Sequence, residues 1–135
     1  MAGRDGYRRP MTSRLTNICI DSADPVRLAH FWCAVLGWEI ADESDGGISI
    51  APRDRAWPVI DVLPVQDTKV QKNRLHLDLR ADGIRTNDEL ERLFSLGASA
   101  VDVGQPSDVT WVVLADPEGN EFCLLSASVQ DLVEQ

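Results

Sequence analysis

Residues 74–81 read Arg-Leu-His-Leu-Asp-Leu-Arg-Ala, and this alternation of apolar and polar side chains predicts a β-strand. Successive side chains of a strand point to opposite faces of the sheet, so the three leucines, beginning with Leu75, are expected to pack on one face under a helix. His76 and Asp78 then lie on the other face. The stretch therefore predicts a sheet with one apolar side and one polar side that is open to a ligand.

Two helices with defined ends are predicted, one before this strand and one after it. Asp24-Pro25 supplies an N-cap side chain and a proline suited to the first turn, and Gly37 stands where a left-handed C-terminal cap belongs. In the second half, the segment 86–89 (Thr-Asn-Asp-Glu) has the form of a capping box, and Gly97 ends the helix as Gly37 does.

Seven further strands are predicted around these helices. The first contains Leu15, Ile18, Cys19 and Ile20, and the others cover Trp38–Ala41, Ile48–Ala51, Val59–Leu63, Ala100–Val103, Thr110–Ala115 and Glu121–Leu125. The offsets between matching positions are nearly constant, at 59 residues for Asn17 and His76, 60 for Gly37 and Gly97, and 62 for Asp61 and Cys123. A near-constant offset through strand, helix end and final strand indicates an internal duplication.

The predicted fold is therefore α+β, with two βαβββ modules that form an open, barrel-like mixed sheet around a cleft and carry their helices outside. We expect one domain over 14–127, with module one at about 14–66 and module two at about 73–127. Residues 1–13 are expected to be a disordered lead-in and 128–135 a C-terminal tail.

Composition narrows the functional classes. The chain has 135 residues, 44% of them hydrophobic, and 22 acidic against 13 basic side chains give a net charge of -9, which disfavours nucleic acid and anionic membranes as partners. No apolar run approaches the roughly 20 residues of a membrane span, and the first residues lack the apolar core of a signal peptide, so we expect a cytoplasmic protein. The three cysteines lack framework spacing and are interpreted as reduced thiols.

The strand alternation predicts which polar side chains meet. In addition to His76 and Asp78, it places Asn17, Asp61 and Cys123 on the faces that line the cleft. The predicted site is thus polar, and Trp111, at the start of a strand, is expected to line it.

Four segments resemble one known family, the glyoxalase-like branch of the vicinal oxygen chelate superfamily. They are residues 15–25, residues 31–38 with their Phe-Trp and Leu-Gly-Trp motifs, residues 72–79, and residues 111–123 with the turn Asp-Pro-Glu-Gly-Asn. The resemblance implies the paired-module fold over about 14–127. It does not imply one activity, because this fold hosts isomerases, dioxygenases, epoxide-opening transferases and antibiotic-binding proteins.

The resemblance also implies a place for a metal. In the metalloenzymes of the superfamily, a divalent ion is held from the first and last strands of each module, usually by His, Gln and Glu. The four matching positions here are Asn17, Asp61, His76 and Cys123. Only His76 keeps the expected residue type, and Cys123 stands where those enzymes have Glu. A Zn, Ni or Fe site formed by His76, Asp61 and Cys123 is therefore one interpretation, and a cleft without metal is the other.

Each of these residues has more than one interpretation. His76 is either a metal ligand, a general base, or a histidine hydrogen-bonded to a neighbouring carboxylate such as Asp78. Asp61 is a general base, a ligand, or the partner of Arg53 or Arg74. Cys123 is a buried filler, a thiolate ligand, or a nucleophile paired with His76.

Three functions follow from these alternatives. The first is a protein that binds or transforms a small organic molecule in the cleft without a conventional metal site. The second is a metal-dependent lyase, isomerase or dioxygenase that uses Asp61 and His76, and the third is a non-catalytic protein that sequesters a drug or metabolite. Because related proteins form the cleft within one chain or between two, we expect a homodimer.

Overall fold

The computed structural model of the chain describes residues 11–44, 46–101 and 111–133. The predicted lead-in therefore lies mostly outside the described residues, as do Asp45, the segment 102–110 and the last two residues of the predicted tail.

Module one has the order strand, helix and three strands. Its elements are β1 (Asn17–Ser22), α1 (Pro25–Leu36), β2 (Glu39–Ser44), β3 (Gly47–Ala51) and β4 (Val59–Pro64). They form a four-stranded mixed sheet in the order β1-β4-β3-β2, in which β1 and β4 run parallel and the other pairs antiparallel.

Module two repeats this order, with shorter outer strands. Its elements are β5 (Leu77–Leu79), α2 (Thr86–Leu96), β6 (Ser99–Ala100), β7 (Trp111–Ala115) and β8 (Glu121–Leu125), followed by a short helix α3 (Val129–Val133). The sheet order is β5-β8-β7-β6, again with the first and last strands of the module parallel. The duplicated βαβββ fold is confirmed, and the described strands form two separate sheets rather than a closed barrel.

The ends of α1 follow the local sequence signals. Asp24 accepts a hydrogen bond from the backbone N–H of Arg27 at 3.2 Å, and Pro25 opens the helix. Gly37 has φ of 70°, the left-handed conformation that costs a residue with a Cβ more than it costs glycine. The predicted N-cap and C-cap of this helix are both confirmed.

The capping box predicted for α2 is wrong. Arg85 occupies the N-cap position without a side-chain cap, and the hydroxyl of Thr86 instead donates to the backbone oxygen of Ser126 at 2.9 Å. Glu89 is buried and pairs with Arg92, whose guanidinium also donates to carbonyl oxygens at the end of α1. The residues of the motif form contacts between distant segments, which a local pattern cannot reveal.

Aromatic packing joins the two modules on the helix side. Trp32 of α1 is 1% exposed, its ring centroid lies 5.0 Å from that of Phe122 in β8, and its indole N–H donates to Asp116 at 3.1 Å. Phe31 packs against both rings. The core thus continues from one module to the other beneath the helices, and no helix within residues 11–44, 46–101 and 111–133 packs on the opposite face of either sheet.

Glu118, in the turn between β7 and β8, clamps the segment that leads into α1. Its carboxylate accepts hydrogen bonds from the Ser22 hydroxyl at 2.5 Å and from the backbone N–H groups of Ala23 and Asp24 at 2.8 and 3.0 Å. Burial raises the pKa of Glu118, but these hydrogen bonds and the charge of Arg27 outweigh it and lower the pKa overall.

Candidate functional site

Strand alternation separates an apolar face from a polar face in both modules. In β4, Ile60 and Val62 are buried in the core, so Asp61 between them points to the face without helices. In β5, Leu77 and Leu79 pack against the core, and Asp78 points to the other face. The predicted alternation of β5 is confirmed over these three residues.

The strand predicted at Arg74–Ala81 is shorter in the structure, and its first three residues are not part of it. Only Leu77–Leu79 pair as a strand, and Leu75 is 88% exposed instead of packing under a helix. The preceding segment is held by another contact, because Glu121 accepts from Lys69 Nζ and from the backbone N–H of Asn73, both at 2.9 Å. This tether replaces strand pairing just before His76.

His76, Asp78 and Cys123 form a compact cluster on the helix-free face of module two. His76 Nε2 lies 3.2 Å from Asp78 Oδ1, and one ring nitrogen, one carboxylate oxygen and the Cys123 sulfur all lie within 4.8 Å of one another. Asp78 and Cys123 face each other directly across the parallel strands β5 and β8. His76 and Asp78 are about half exposed, so a dissolved molecule can reach them.

Cys123 is the buried member of this cluster. Burial raises the pKa of its thiol, and the negative charge of Asp78 and a hydrogen bond to that carboxylate raise it further, while Lys72 lowers it. A raised pKa keeps the thiol protonated at neutral pH, which disfavours the interpretation of Cys123 as a nucleophile. The thiol instead lies beside the Asp78 carboxylate as a neutral group.

Module one carries a second polar cluster at the matching position. Asp61 accepts hydrogen bonds from Asn17 Nδ2 at 2.9 Å and from the Ser49 hydroxyl at 2.5 Å. Cys19 faces Asp61 across the parallel pair β1 and β4, just as Asp78 faces Cys123 in module two. Each module thus sets a cysteine opposite an aspartate, in reversed order.

The predicted site residues therefore fall into two groups. Among the described residues, Asp61 is hydrogen-bonded to Asn17 and Ser49. It does not belong to the cluster of His76, Asp78 and Cys123. Its suggested arginine partner Arg53 lies near Glu39 instead. The four positions that the resemblance implies for a metal are thus divided between two clusters, and they do not fit as one ligand set in a single chain.

Two other residues complete the polar face. Trp111 begins β7 and is 37% exposed, and it shares its face with Val113, whose partner across the strands is Cys123.

Ser49 was missed by the sequence analysis. The signal was present, because Ser49 stands between the apolar residues Ile48 and Ile50 in a predicted strand.

A separate open groove of about 560 Å³ lies on the helix side, where α1, the end of α2 and Pro117 meet. It contains none of the predicted site residues.

Among the described helices, none is long and apolar enough to cross a membrane.

This fold, with polar clusters on matching strands of two βαβββ modules, defines the vicinal oxygen chelate superfamily. The family model of the glyoxalase-like domain matches residues 17–125, and the chain belongs to that family. Comparison with curated proteins finds no significant match.

Solved structures share the fold at low sequence identity. The fosfomycin resistance protein FosX from Mesorhizobium loti has a TM-score of 0.67 at 14% identity, covering 93% of this chain and 100% of that one. FosX from Listeria monocytogenes, as a variant complexed with Mn(II) and 1S,2S-dihydroxypropylphosphonic acid, has a TM-score of 0.65 at 15% identity, with 92% and 98% covered.

A glyoxalase/bleomycin resistance protein/dioxygenase family enzyme from Burkholderia phytofirmans PsJN has a TM-score of 0.58 at 19% identity, with 83% of this chain and 97% of that chain covered. At these identities the likeness establishes the fold, and the chemistry has to be argued from the residues of this chain.

Proposed function

We propose that this chain binds a small organic molecule over the helix-free faces of its sheets and that His76 and Asp78 move a proton on that molecule. The observation that carries the proposal is the 3.2 Å contact between His76 Nε2 and Asp78 Oδ1 on a half-exposed polar face. Histidine is the side chain best suited to proton transfer near neutral pH, and a carboxylate partner fixes its orientation.

The contact assigns separate tasks to the two ring nitrogens. When Nε2 carries the proton it donates to Asp78, and Nδ1 is then free to accept a proton from the ligand. The Cys123 sulfur lies within 4.8 Å of the same carboxylate, directly across the parallel strands. The carboxylate therefore holds the imidazole ring in this orientation while Nδ1 faces the ligand in our proposal.

The module-one cluster supplies ligand-binding groups in this proposal. Asp61 has two side-chain donors, Asn17 and Ser49, so it is held in one orientation while its remaining acceptor capacity is free for a ligand. Asp61 remains the second candidate general base. Trp111 offers an aromatic surface on the face of Cys123 for an apolar part of the ligand.

A metal-dependent lyase, isomerase or dioxygenase is the second candidate function. It is favoured by the grouping of ring nitrogen, carboxylate oxygen and thiol sulfur within 4.8 Å. These are ligand types that zinc and related divalent ions accept. In that case the metal would polarise a ligand oxygen, and the residues of the chain would hold and orient the ligand.

We further propose that a second copy of the chain covers the polar faces. The two modules of one chain meet through α1 and α2, so their helix-free faces lie open. Exposed apolar side chains flank these faces, with Leu75 beside His76 and Leu15 before β1 at 88% and 63% exposure. Size-exclusion chromatography with light scattering should give a homodimer, and a monomer at micromolar concentration would contradict this proposal.

The binding proposal is tested with fosfomycin, bleomycin and a catechol as probes, measuring thermal shifts and product formation. Saturable binding at 100 times Kd stabilises the folded state by about 2.7 kcal/mol. We expect such a shift with at least one probe, lost in His76→Ala and kept in His30→Ala, which removes the other histidine from α1.

The same measurements separate the three functions. Turnover that persists after chelation and is lost in His76→Ala supports proton transfer by His76. Turnover that requires added metal supports the second candidate, and saturable stabilisation without product supports sequestration. No shift with any probe, or equal loss in the two histidine variants, would contradict the proposal.

A further inference from the structure

We infer that module two binds zinc by itself, through His76, Asp78 and Cys123, with Asp78 taking the place of a ligand from module one. This inference rests on the site proposed above and names its metal and ligands. It differs from the four-position arrangement that the resemblance implies, because that arrangement needs Asp61 and Asn17 from the other module.

The backbone places these three ligands without any movement of the modules. His76 and Asp78 are two residues apart and their side chains meet at 3.2 Å, while Cys123 stands directly across the neighbouring strand from Asp78. Adjacent strands are separated by about 4.8 Å, so a strand residue, its i+2 neighbour and a cross-strand partner form a small triangle. The three ligand atoms lie within 4.8 Å of one another.

The size of this triangle suits a tetrahedral ion. Zinc bonds of about 2.0–2.3 Å place neighbouring ligand atoms roughly 3.3–3.8 Å apart. The His76–Asp78 distance of 3.2 Å is already close to this range, and the sulfur needs only a shift of its side chain. Because His76 and Asp78 are half exposed, the fourth position would face solvent and accept water or a ligand.

The ligand types select zinc over manganese. The Cys123 thiol would release its proton to solvent when zinc binds, and the resulting thiolate is a soft ligand that favours zinc, whereas Mn(II) prefers carboxylate and water oxygens. Cys123 is also the most enclosed of the three, at 7% exposure, so the sulfur is fixed by the fold. The FosX structure with Mn(II) therefore does not predict the metal of this chain.

In module one, the matching positions form a poorer ligand set. Cys19 is exposed and faces Asp61, whose two oxygens each accept one hydrogen bond, from Asn17 and from Ser49, and no histidine joins them in the cluster that the structure describes. The duplicated fold thus supplies an internal control, since the two modules have the same strand order and different side chains at the matching positions.

The test measures metal binding by the full chain, reduced and freed of metal with a chelator. Zinc is titrated against a chromophoric competitor, and Co(II) is added separately because a thiolate ligand gives cobalt a charge-transfer absorption in the near ultraviolet. We expect one zinc per chain, weaker binding of Mn(II), and the thiolate absorption with cobalt. The readout is independent of any enzymatic activity.

Three variants test the ligands. Cys123→Ser should remove the cobalt absorption. His76→Gln and Asp78→Asn should each weaken zinc binding by at least about 10–100-fold, because mutating residues that only hydrogen-bond to a metal ligand already costs that much metal affinity. Asp61→Asn and Cys19→Ser should keep both the affinity and the absorption. Circular dichroism of each metal-free variant checks that loss of binding is not loss of folding.

The inference is overturned if the wild-type chain does not bind zinc stoichiometrically at micromolar concentration. It is also overturned if Cys19→Ser removes the cobalt absorption, or if Asp61→Asn weakens binding as strongly as Asp78→Asn does. Zinc binding with the expected variant pattern, together with no shift by fosfomycin, bleomycin or the catechol, would support the zinc site and contradict the proposed small-molecule function.

Discussion

Cys123 lies directly opposite Asp78 across the parallel strands β5 and β8, and its sulfur lies within 4.8 Å of a carboxylate oxygen of Asp78. In module one, Cys19 lies opposite Asp61 across β1 and β4 in the same way. Each module therefore pairs one cysteine with one aspartate across its first and last strands. The cysteine is on the first strand in module one and on the last strand in module two. Within the part of the chain that the structure describes, a histidine stands beside the pair in module two and not in module one.

This relationship predicts unequal reactivity of the cysteines. Cys19 is exposed, Cys123 is buried, and burial together with Asp78 raises the pKa of Cys123, so iodoacetamide at neutral pH should modify Cys19 first. Removing the charge in Asp78→Asn should speed the modification of Cys123, whereas Asp61→Asn should leave its rate unchanged. Mass spectrometry of peptides from chelator-treated protein measures both rates, and faster labelling of Cys123 than of Cys19 would contradict the prediction.

The Glu118 clamp predicts a pH-dependent contribution to stability. Glu118→Gln should lower the free energy of unfolding by about 1–3 kcal/mol at pH 7, because an amide cannot accept all three hydrogen bonds. The exposed Glu91→Gln is the matched control, with an expected change within about 0.5 kcal/mol.

The sign of this pH dependence follows from the lowered pKa of Glu118. The contribution is fully present above the unfolded-state value of 4.5 and is lost as the pH falls through the lower folded-state pKa. Urea denaturation of wild type and Glu118→Gln should therefore give curves that converge below pH 4.5. A constant difference from pH 7 to pH 3 would show that the carboxylate charge is not responsible.

The aromatic contact between the modules predicts that a conservative substitution of Trp32 strongly lowers the free energy of unfolding. Trp32→Phe removes the indole donor to Asp116 and part of the packing against Phe122, so we expect a loss of about 2–4 kcal/mol. Trp57→Phe is the control, because Trp57 is 55% exposed, and we expect less than about 0.5 kcal/mol. Equal midpoints of thermal unfolding in the two variants would contradict the assignment of Trp32 to the core.

The contacts of Arg92 predict that lysine cannot replace arginine at this position without a loss of stability. Its guanidinium pairs with Glu89 and donates to the carbonyl oxygens of Ala34 and Val35, and a lysine has no planar fork to make these contacts together. Arg92→Lys should therefore lower the free energy of unfolding by about 1–2 kcal/mol. The exposed Arg74→Lys should change it little, and a similar small change in both variants would rule out this role for Arg92.

The tether at Glu121 predicts local mobility before His76. Glu121→Gln should weaken the contacts with Lys69 and the Asn73 N–H, and hydrogen exchange at the Asn73 amide should become faster by about tenfold, which corresponds to about 1.4 kcal/mol. Exchange at amides of β3 should not change. Faster exchange throughout the chain would indicate general destabilisation instead of a local tether.

Local signals predicted much of the fold because they act between near neighbours. The ends of α1 depend on Asp24, Pro25 and Gly37, and all three signals have the predicted structure. The strand β8 has the predicted bounds. The capping box of α2 was wrong because the Thr86 hydroxyl donates to the backbone oxygen of Ser126, 40 residues away, while Glu89 pairs with Arg92 one turn further along the same helix. The predicted burial of Leu75 was wrong because the segment before β5 is tethered through Glu121.

Sequence alone determined the duplication and the apolar and polar faces of the strands, including the polar face that carries His76, because periodicity and spacing are properties of the chain itself. The tertiary structure decided which carboxylate meets that histidine. Register across parallel strands brings Asp78 and Cys123 together from positions 45 residues apart, whereas Asp61 is held by Asn17 and Ser49 in the other sheet. Such pairings depend on how distant strands align, and no local pattern encodes that alignment.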